Sequence, residues 1–354
     1  MLSVRSYKFE LSKLLTQSDL SVFVKECKVF IEPIAPKELG HLFVDVAFLR
    51  SAMKFIEDEH WIQSKKAENE INFNKFIKKF FKLELSPVLF LHADLESSSI
   101  EGIRQAGKNA ALIETALIQQ IKSKPYSDRK IFTTTTLQLM SELFEFEHQL
   151  NLQKREDGDD ISLSLYRTFD ILDQVFELNY IVDEATSLEQ KERLYEGAGV
   201  GVQSSYVTTL MALRYLNPAK NSRFVDLGSG YGRVGLVVGL MRPDIDFIGY
   251  EFVEGRVNIA TSTSHNLGIN QHVHFHTQDL ASKSFQIPAA ETYYIFDSFS
   301  DETYVHVLAR LQEIATAKKI TVVTKGNARL WFKNSNWSAP QEFNDGNLCL
   351  FRSR

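Results

Sequence analysis

Phe224-Val225-Asp226-Leu227-Gly228-Ser229-Gly230-Tyr231-Gly232-Arg233-Val234-Gly235 decides the fold of the C-terminal part of this chain. An apolar run enters a glycine-rich turn, and the turn opens into a second apolar run with helical spacing. Glycine is required where a backbone bends sharply and where a ligand presses directly on the main chain. The first turn of the helix beyond adds partial positive charge and free N–H groups. The stretch therefore predicts a strand, a ligand-binding turn and a helix, in a form used for adenine-containing cofactors.

The same alternation continues outward. Strand-like runs fall at 223–226, 246–251, 273–277, 293–296 and 319–324, and helical runs between them at 232–241, 254–267 and 301–317. Alternating strands and helices predict a parallel sheet covered on both faces. The chain ends with a run at 337–343, the turn Asn344-Asp345-Gly346-Asn347, and a run at 348–352. Asp-Gly between two such runs signals a hairpin, so the sheet closes on an antiparallel pair.

Upstream the pattern is helical. Apolar residues recur at three- and four-residue steps over 39–62, 100–121, 137–152 and 163–182. The expected organisation is a mainly helical N-terminal domain, residues 1–190, followed by an α/β domain, residues 191–354. The acidic break Asp157-Gly158-Asp159-Asp160 raises a calcium loop. Its twelfth position is Thr168, however, where such a loop needs a bidentate Glu. A solvated linker is expected there.

With 354 residues, 44% hydrophobic and 24% charged, the chain has the composition of a folded globular protein. A formal net charge of −5 argues against nucleic acid as a partner. The two cysteines, Cys27 and Cys349, are too few for a disulfide scaffold and suit a reducing cytoplasm. No signal-peptide pattern opens the chain, and its least polar stretch, 224–241, is interrupted by Asp226 and Arg233. No membrane association is expected.

The residues leave two cofactors to weigh. Gly230-x-Gly232-x-x-Gly235, with Glu251 about 20 residues on, matches the dinucleotide fingerprint. Against it, Asp226 ends the strand just before the turn, where its carboxylate would repel a pyrophosphate but attract a sulfonium or ammonium. The terminal hairpin also leaves little chain for a second mononucleotide-binding half.

Asp226-Leu227-Gly228-Ser229-Gly230-Tyr231-Gly232-Arg233 resembles the first motif of class I S-adenosylmethionine-dependent methyltransferases. Gly249-Tyr250-Glu251-Phe252 resembles the second, Gln278-Asp279-Leu280 the third, and Tyr293-Tyr294-Ile295-Phe296-Asp297-Ser298-Phe299 the fourth. The resemblance covers 195–354 and implies a doubly wound seven-stranded sheet whose last strand is antiparallel. It also implies that Gly228, Ser229, Gly230 and Gly232 lie under S-adenosylmethionine, with Asp226 near its methionine amino group. Glu251 would accept the ribose hydroxyls, Phe252 would lie against adenine, and Asp279 would accept from the adenine amino group. Upstream, Gln203 and Ser204 would touch the methionine end, with Ser204 or Ser205 capping the helix that follows.

The methyl acceptor is less sharply marked. Amine and amide methyltransferases with Asn/Asp-Pro-Pro-aromatic at the fourth motif differ from Asp297-Ser298-Phe299-Ser300, which has no proline. The local sequence is more similar to class I protein-lysine methyltransferases that lack a SET domain. This implies an amine acceptor, with Asp297 orienting or deprotonating it and Phe299, Tyr195 and Trp331 available to line a channel. A small-molecule N- or O-methyltransferase, and a methyltransferase-like scaffold without catalysis, are the alternatives. His272, His274 and His276 share one face of an expected edge strand, and no carboxylate or thiol converges on them at a metal-site spacing.

Overall fold

The strands that build the sheet are β1 (Arg223–Leu227), β2 (Asp246–Glu251), β3 (Val273–Thr277), β4 (Thr292–Phe296), β5 (Thr321–Lys325), β6 (Gln341–Phe343) and β7 (Leu348–Arg352). They form one seven-stranded sheet in the order β3-β2-β1-β4-β5-β7-β6. The first five strands pair in parallel, and β7 runs antiparallel to both β5 and β6. This is the expected doubly wound α/β sheet with its antiparallel closure. The order reverses on either side of β1, so the carboxyl ends of β1 and β4 flank the crevice where ligands of open α/β sheets bind.

The computed structural model describes residues 34–66, 72–81, 98–156, 169–180, 203–297, 299–333, 337–343 and 347–354. The chain divides into two compact units, Met1–Arg167 and Thr168–Arg354. The first is helical where described, with α1 (Pro36–Lys66), α2 (Phe73–Phe81), α3 (Ile100–Lys122) and α4 (Tyr126–Glu156). Helix α1 packs on α3 and α4. The buried Glu114 on α3 pairs with Arg50 on α1. Ser99 starts α3 by accepting the Gly102 N–H at 3.2 Å.

In the second unit a 3-10 turn (Asp170–Leu172) leads into the short helix α5 (Asp173–Phe176). The helical run expected over 163–182 is therefore broken in its described part, and Glu177 takes a left-handed conformation at φ 58°. Residues 169–180 lie before the 190/191 division expected from the sequence, yet they belong to the second unit, where Asp173 meets Tyr206 and Arg233. The remaining helices are α6 (Tyr206–Leu216), α7 (Arg233–Met241), α8 (Glu254–Asn266) and α9 (Asp301–Ala317).

Both faces of the sheet are apolar because both are covered. On one face Val225, Leu227, Tyr293, Ile295 and Val322 meet Tyr304, Val307 and Leu311 of α9. On the other, Phe224 stacks on Phe247 with ring centroids 5.7 Å apart. Gly235 brings α7 down onto that layer, since a Cβ there would lie 2.3 Å from the Phe247 ring. The expected turn at 344–346 lies outside the described residues; the β6–β7 pairing on either side of it is present. Pro340 precedes β6, so the strand is shorter than the 337–343 run, and Trp337 makes only an isolated bridge to Ser353.

Candidate functional site

The glycine turn follows β1 at the carboxyl end of the sheet. Gly228, Gly230 and Gly232 have φ of 89°, 54° and 82°, left-handed values that side chains with a Cβ rarely adopt. Four of its N–H groups point inward. Those of Gly228 and Ser229 donate to the Tyr250 carbonyl at 2.9 and 2.8 Å, and that of Gly232 to the Ser229 carbonyl at 2.9 Å. The Gly230 N–H donates to Glu251 Oε2 at 2.8 Å. These four donors are spent within the protein and are not offered to a ligand.

Two buried carboxylates flank it. Asp226, at the end of β1, is 2% exposed, and among the described residues its side chain makes no hydrogen bond or ion pair. Burial, reinforced by the neighbouring Glu251 charge, holds its carboxyl well above the usual range. Glu251, at the end of β2, is compensated. Besides Gly230 it accepts from the Val253 N–H and from Arg256 Nη1, both at 3.1 Å to Oε1. A carboxylate has about four lone-pair positions, so roughly one is left for a ligand. The paired acceptance of two ribose hydroxyls that the resemblance implies would require Arg256 to yield. The sequence pattern carried no sign of that pairing.

The other expected residues are distributed around the same end. Phe252, next to Glu251 in the chain, is 42% exposed. Asp279 lies in the turn after β3, its Oδ1 accepting the Ala281 N–H at 2.9 Å, and the adjacent Gln278 N–H bonds the Glu251 carbonyl at 2.8 Å. The Gln203 amide lies over Gly230, where a Cβ would come within 2.7 Å of Nε2. Ser204 Oγ bonds Tyr294 OH of β4 at 2.8 Å. Ser205, not Ser204, caps α6, accepting the Thr208 N–H at 3.2 Å. Ser229 Oγ is buried without a hydrogen-bond partner among the described residues.

Asp297 follows β4 and is also 2% exposed, with Tyr304 OH 3.5 Å from its Oδ1. Phe299 does not line a channel: it is core, its ring 5.0 Å from Tyr304, and Trp331 stacks on the same Tyr304 at 4.9 Å. Tyr304 thus joins this aromatic cluster to Asp297. Tyr195 lies outside the described residues. Ser300 caps α9 as expected, with Asp301 and Glu302 in the first turn.

Sequence reasoning missed the group that anchors the upstream segment. Arg233, 3% exposed, pairs with the buried Asp173 and with Asp170 at 2.8 Å. It also donates to Tyr180 OH at 2.9 Å and to the Ser204 carbonyl at 3.2 Å. Tyr206 OH and Tyr180 OH both donate to Asp173. Arg233 thus ties 170–180 and 203–206 to the helix start below the glycine turn, setting Gln203 and Ser204 in place. Its position inside the glycine motif was the available clue; nothing in the sequence pointed to Asp173.

No family model matches the sequence, and no characterised relative does. Among solved structures, the chain is similar to TrmN from Thermus thermophilus, at 13% identity and a TM-score of 0.34, over 42% of this chain and 47% of that one. The match thus spans about half the length of the Thermus protein. An RNA methyltransferase from Salinibacter ruber, in complex with S-adenosyl-L-homocysteine, matches at 16% identity and a TM-score of 0.34, over 43% and 92%. A SAM-dependent O-methyltransferase from Thermotoga maritima matches at 11% identity and a TM-score of 0.33, over 50% and 71%. The class that the fold itself defines is a doubly wound α/β domain with a seven-stranded sheet.

Proposed function

We propose that this chain is an S-adenosylmethionine-dependent methyltransferase acting on an amine, with a protein lysine side chain as the favoured acceptor and a small-molecule N- or O-acceptor as the alternative. The carrying observation is the pairing of inward-turned N–H groups with an uncompensated buried carboxylate, Asp226. An anionic pyrophosphate would meet carboxylates and find those donors spent. A ligand bearing an ammonium or sulfonium would supply the positive charge that Asp226 lacks, so the residues fit S-adenosylmethionine and disfavour a dinucleotide.

In this reading Asp226 holds the amino group, and Gln203 and Ser229 offer polar contacts at the glycine turn. Glu251 accepts from a ribose hydroxyl, Phe252 covers the adenine, and Asp279 accepts from its amino group. The bound cofactor supplies an activated methyl group on sulfonium sulfur, so the chain itself must mainly align the acceptor and keep its lone pair free. Asp297 at the carboxyl end of β4 suits that task for an amine, its buried carboxylate attracting and orienting the nitrogen.

Equilibrium binding of tritiated S-adenosylmethionine to the full chain tests the reading. Asp226→Ala and Glu251→Ala are each expected to weaken binding at least tenfold with an unchanged circular-dichroism spectrum. Undiminished binding by both variants would remove the site assignment.

A further inference from the structure

The carboxyl end of the sheet holds one cation the reading above leaves unused. Lys325 is the last residue of β5 and pairs in register with Phe296, the last residue of β4. Its Nζ stands 4.0 Å from the centroid of the Phe296 ring. The next residue on each strand keeps the two ends together: a Cβ on Gly326 would lie 3.4 Å from the Asp297 Cβ. With neighbouring strands about 4.8 Å apart, β5 is about 10 Å from β1 and its glycine turn. The half-buried Lys325 has no carboxylate within ion-pair distance among the described residues.

We propose that Lys325 is the proton acceptor for the attacking nitrogen or oxygen of the methyl acceptor, working beside Asp297; the proposal rests on the methyltransferase reading. As the new bond from nitrogen or oxygen to the methyl carbon forms, the sulfur–carbon bond breaks and its electron pair stays on sulfur as a thioether. The proton leaving the acceptor passes to the neutral Lys325 amine and from there to water. Asp297 orients the acceptor, and the Phe296 face receives the ammonium that Lys325 becomes on taking the proton.

The surroundings permit a neutral amine. Burial pushes Lys325 down to about 8, and the Arg233 cation acts in the same direction, while Asp170 opposes them. The charged groups that act on it are thus Arg233 on α7 and Asp170 on the preceding 3-10 turn. At such a value a sizeable fraction is unprotonated at neutral pH, as a general base requires.

Competitive acetylation of the full chain with acetic anhydride between pH 6 and 11, read peptide by peptide by mass spectrometry, tests this. The rate at the exposed Lys220 serves as the internal reference. Lys325 is expected to label with a midpoint about 8, and saturating S-adenosylhomocysteine is expected to slow its acetylation at least fivefold at pH 8. An ordinary lysine midpoint near about 10.4 would overturn the proposal. So would a low midpoint with no protection while calorimetry shows S-adenosylhomocysteine bound. If calorimetry shows no binding at all, the methyltransferase reading itself fails, and the Lys325 assignment with it.

Discussion

Asp226→Asn separates binding from stability at a single position. In the free protein the Asp226 carboxyl is buried, unpaired and pushed well above its ordinary range by burial and by Glu251. A carboxyl raised in the folded state costs stability as pH rises from its unfolded value toward its folded one. At pH 7 that cost is bounded by about 1.4 kcal/mol for each of the roughly three pH units above an unfolded value near 3.9, or about 4 kcal/mol. At pH 5 the bound falls to about 1.5 kcal/mol. The asparagine carries no such cost. A gain of about 2 kcal/mol would raise the melting temperature of a unit this size, Thr168–Arg354, by about 4–8 °C. The same change removes the partner of a ligand cation, a loss of about 3–5 kcal/mol or roughly a hundredfold or more in affinity. Thermal unfolding at pH 5 and pH 7.5, with and without S-adenosylhomocysteine, reads both effects. The variant should melt higher than wild type without ligand, by a margin that narrows at pH 5, and should show no ligand-induced shift. A variant that melts lower at both pH values yet retains the ligand shift would refute the reasoning.

Three further outcomes are expected. Arg233→Met should destabilise the second unit by about 3–5 kcal/mol in urea, because it strands the buried Asp173 charge; adding Asp173→Asn should recover part of that loss, and strict additivity would deny the coupling. Gly235→Ala should cost about 1–3 kcal/mol by forcing α7 off the Phe247 ring, without a cofactor in the solution; wild-type stability in the same urea series would show that the helix can shift freely. Asp297→Asn should lower methyl transfer at least tenfold while changing S-adenosylmethionine affinity less than threefold, measured with a labelled methyl donor; unchanged turnover would make Asp297 structural.

The sheet was legible because its strands carry two buried faces and its helices open on recognisable signals. The run at 246–251 became β2 and that at 273–277 became β3, and Ser300 caps α9 where Asp301 and Glu302 favour the first turn. The strand ends moved by a residue or two where pairing, not composition, sets them: β5 runs Thr321–Lys325 because Thr321 pairs with Thr292 and Lys325 with Phe296. Helical periodicity misled over 169–180, the described part of the 163–182 run, where Asp173 is drawn to Arg233 and Glu177 ends α5 in a left-handed conformation. The run at 137–152 is only the end of α4. Its earlier half was hidden by four consecutive threonines, β-branched residues of low helix propensity; Thr133 Oγ1 turns back to the Arg129 carbonyl at 2.6 Å. The residues of the glycine turn were visible as a motif. The consumption of its N–H groups, the Arg256–Glu251 pair and the place of Lys325 over Phe296 were not, since each joins residues through tertiary geometry that no local spacing encodes.

Calorimetric titration of the purified full chain with S-adenosylhomocysteine, with NAD run in parallel, tests the central claim most directly. Micromolar binding of S-adenosylhomocysteine and none of NAD is the predicted result. Binding of NAD alone, or of neither, would contradict a site built around the unpaired carboxyl of Asp226.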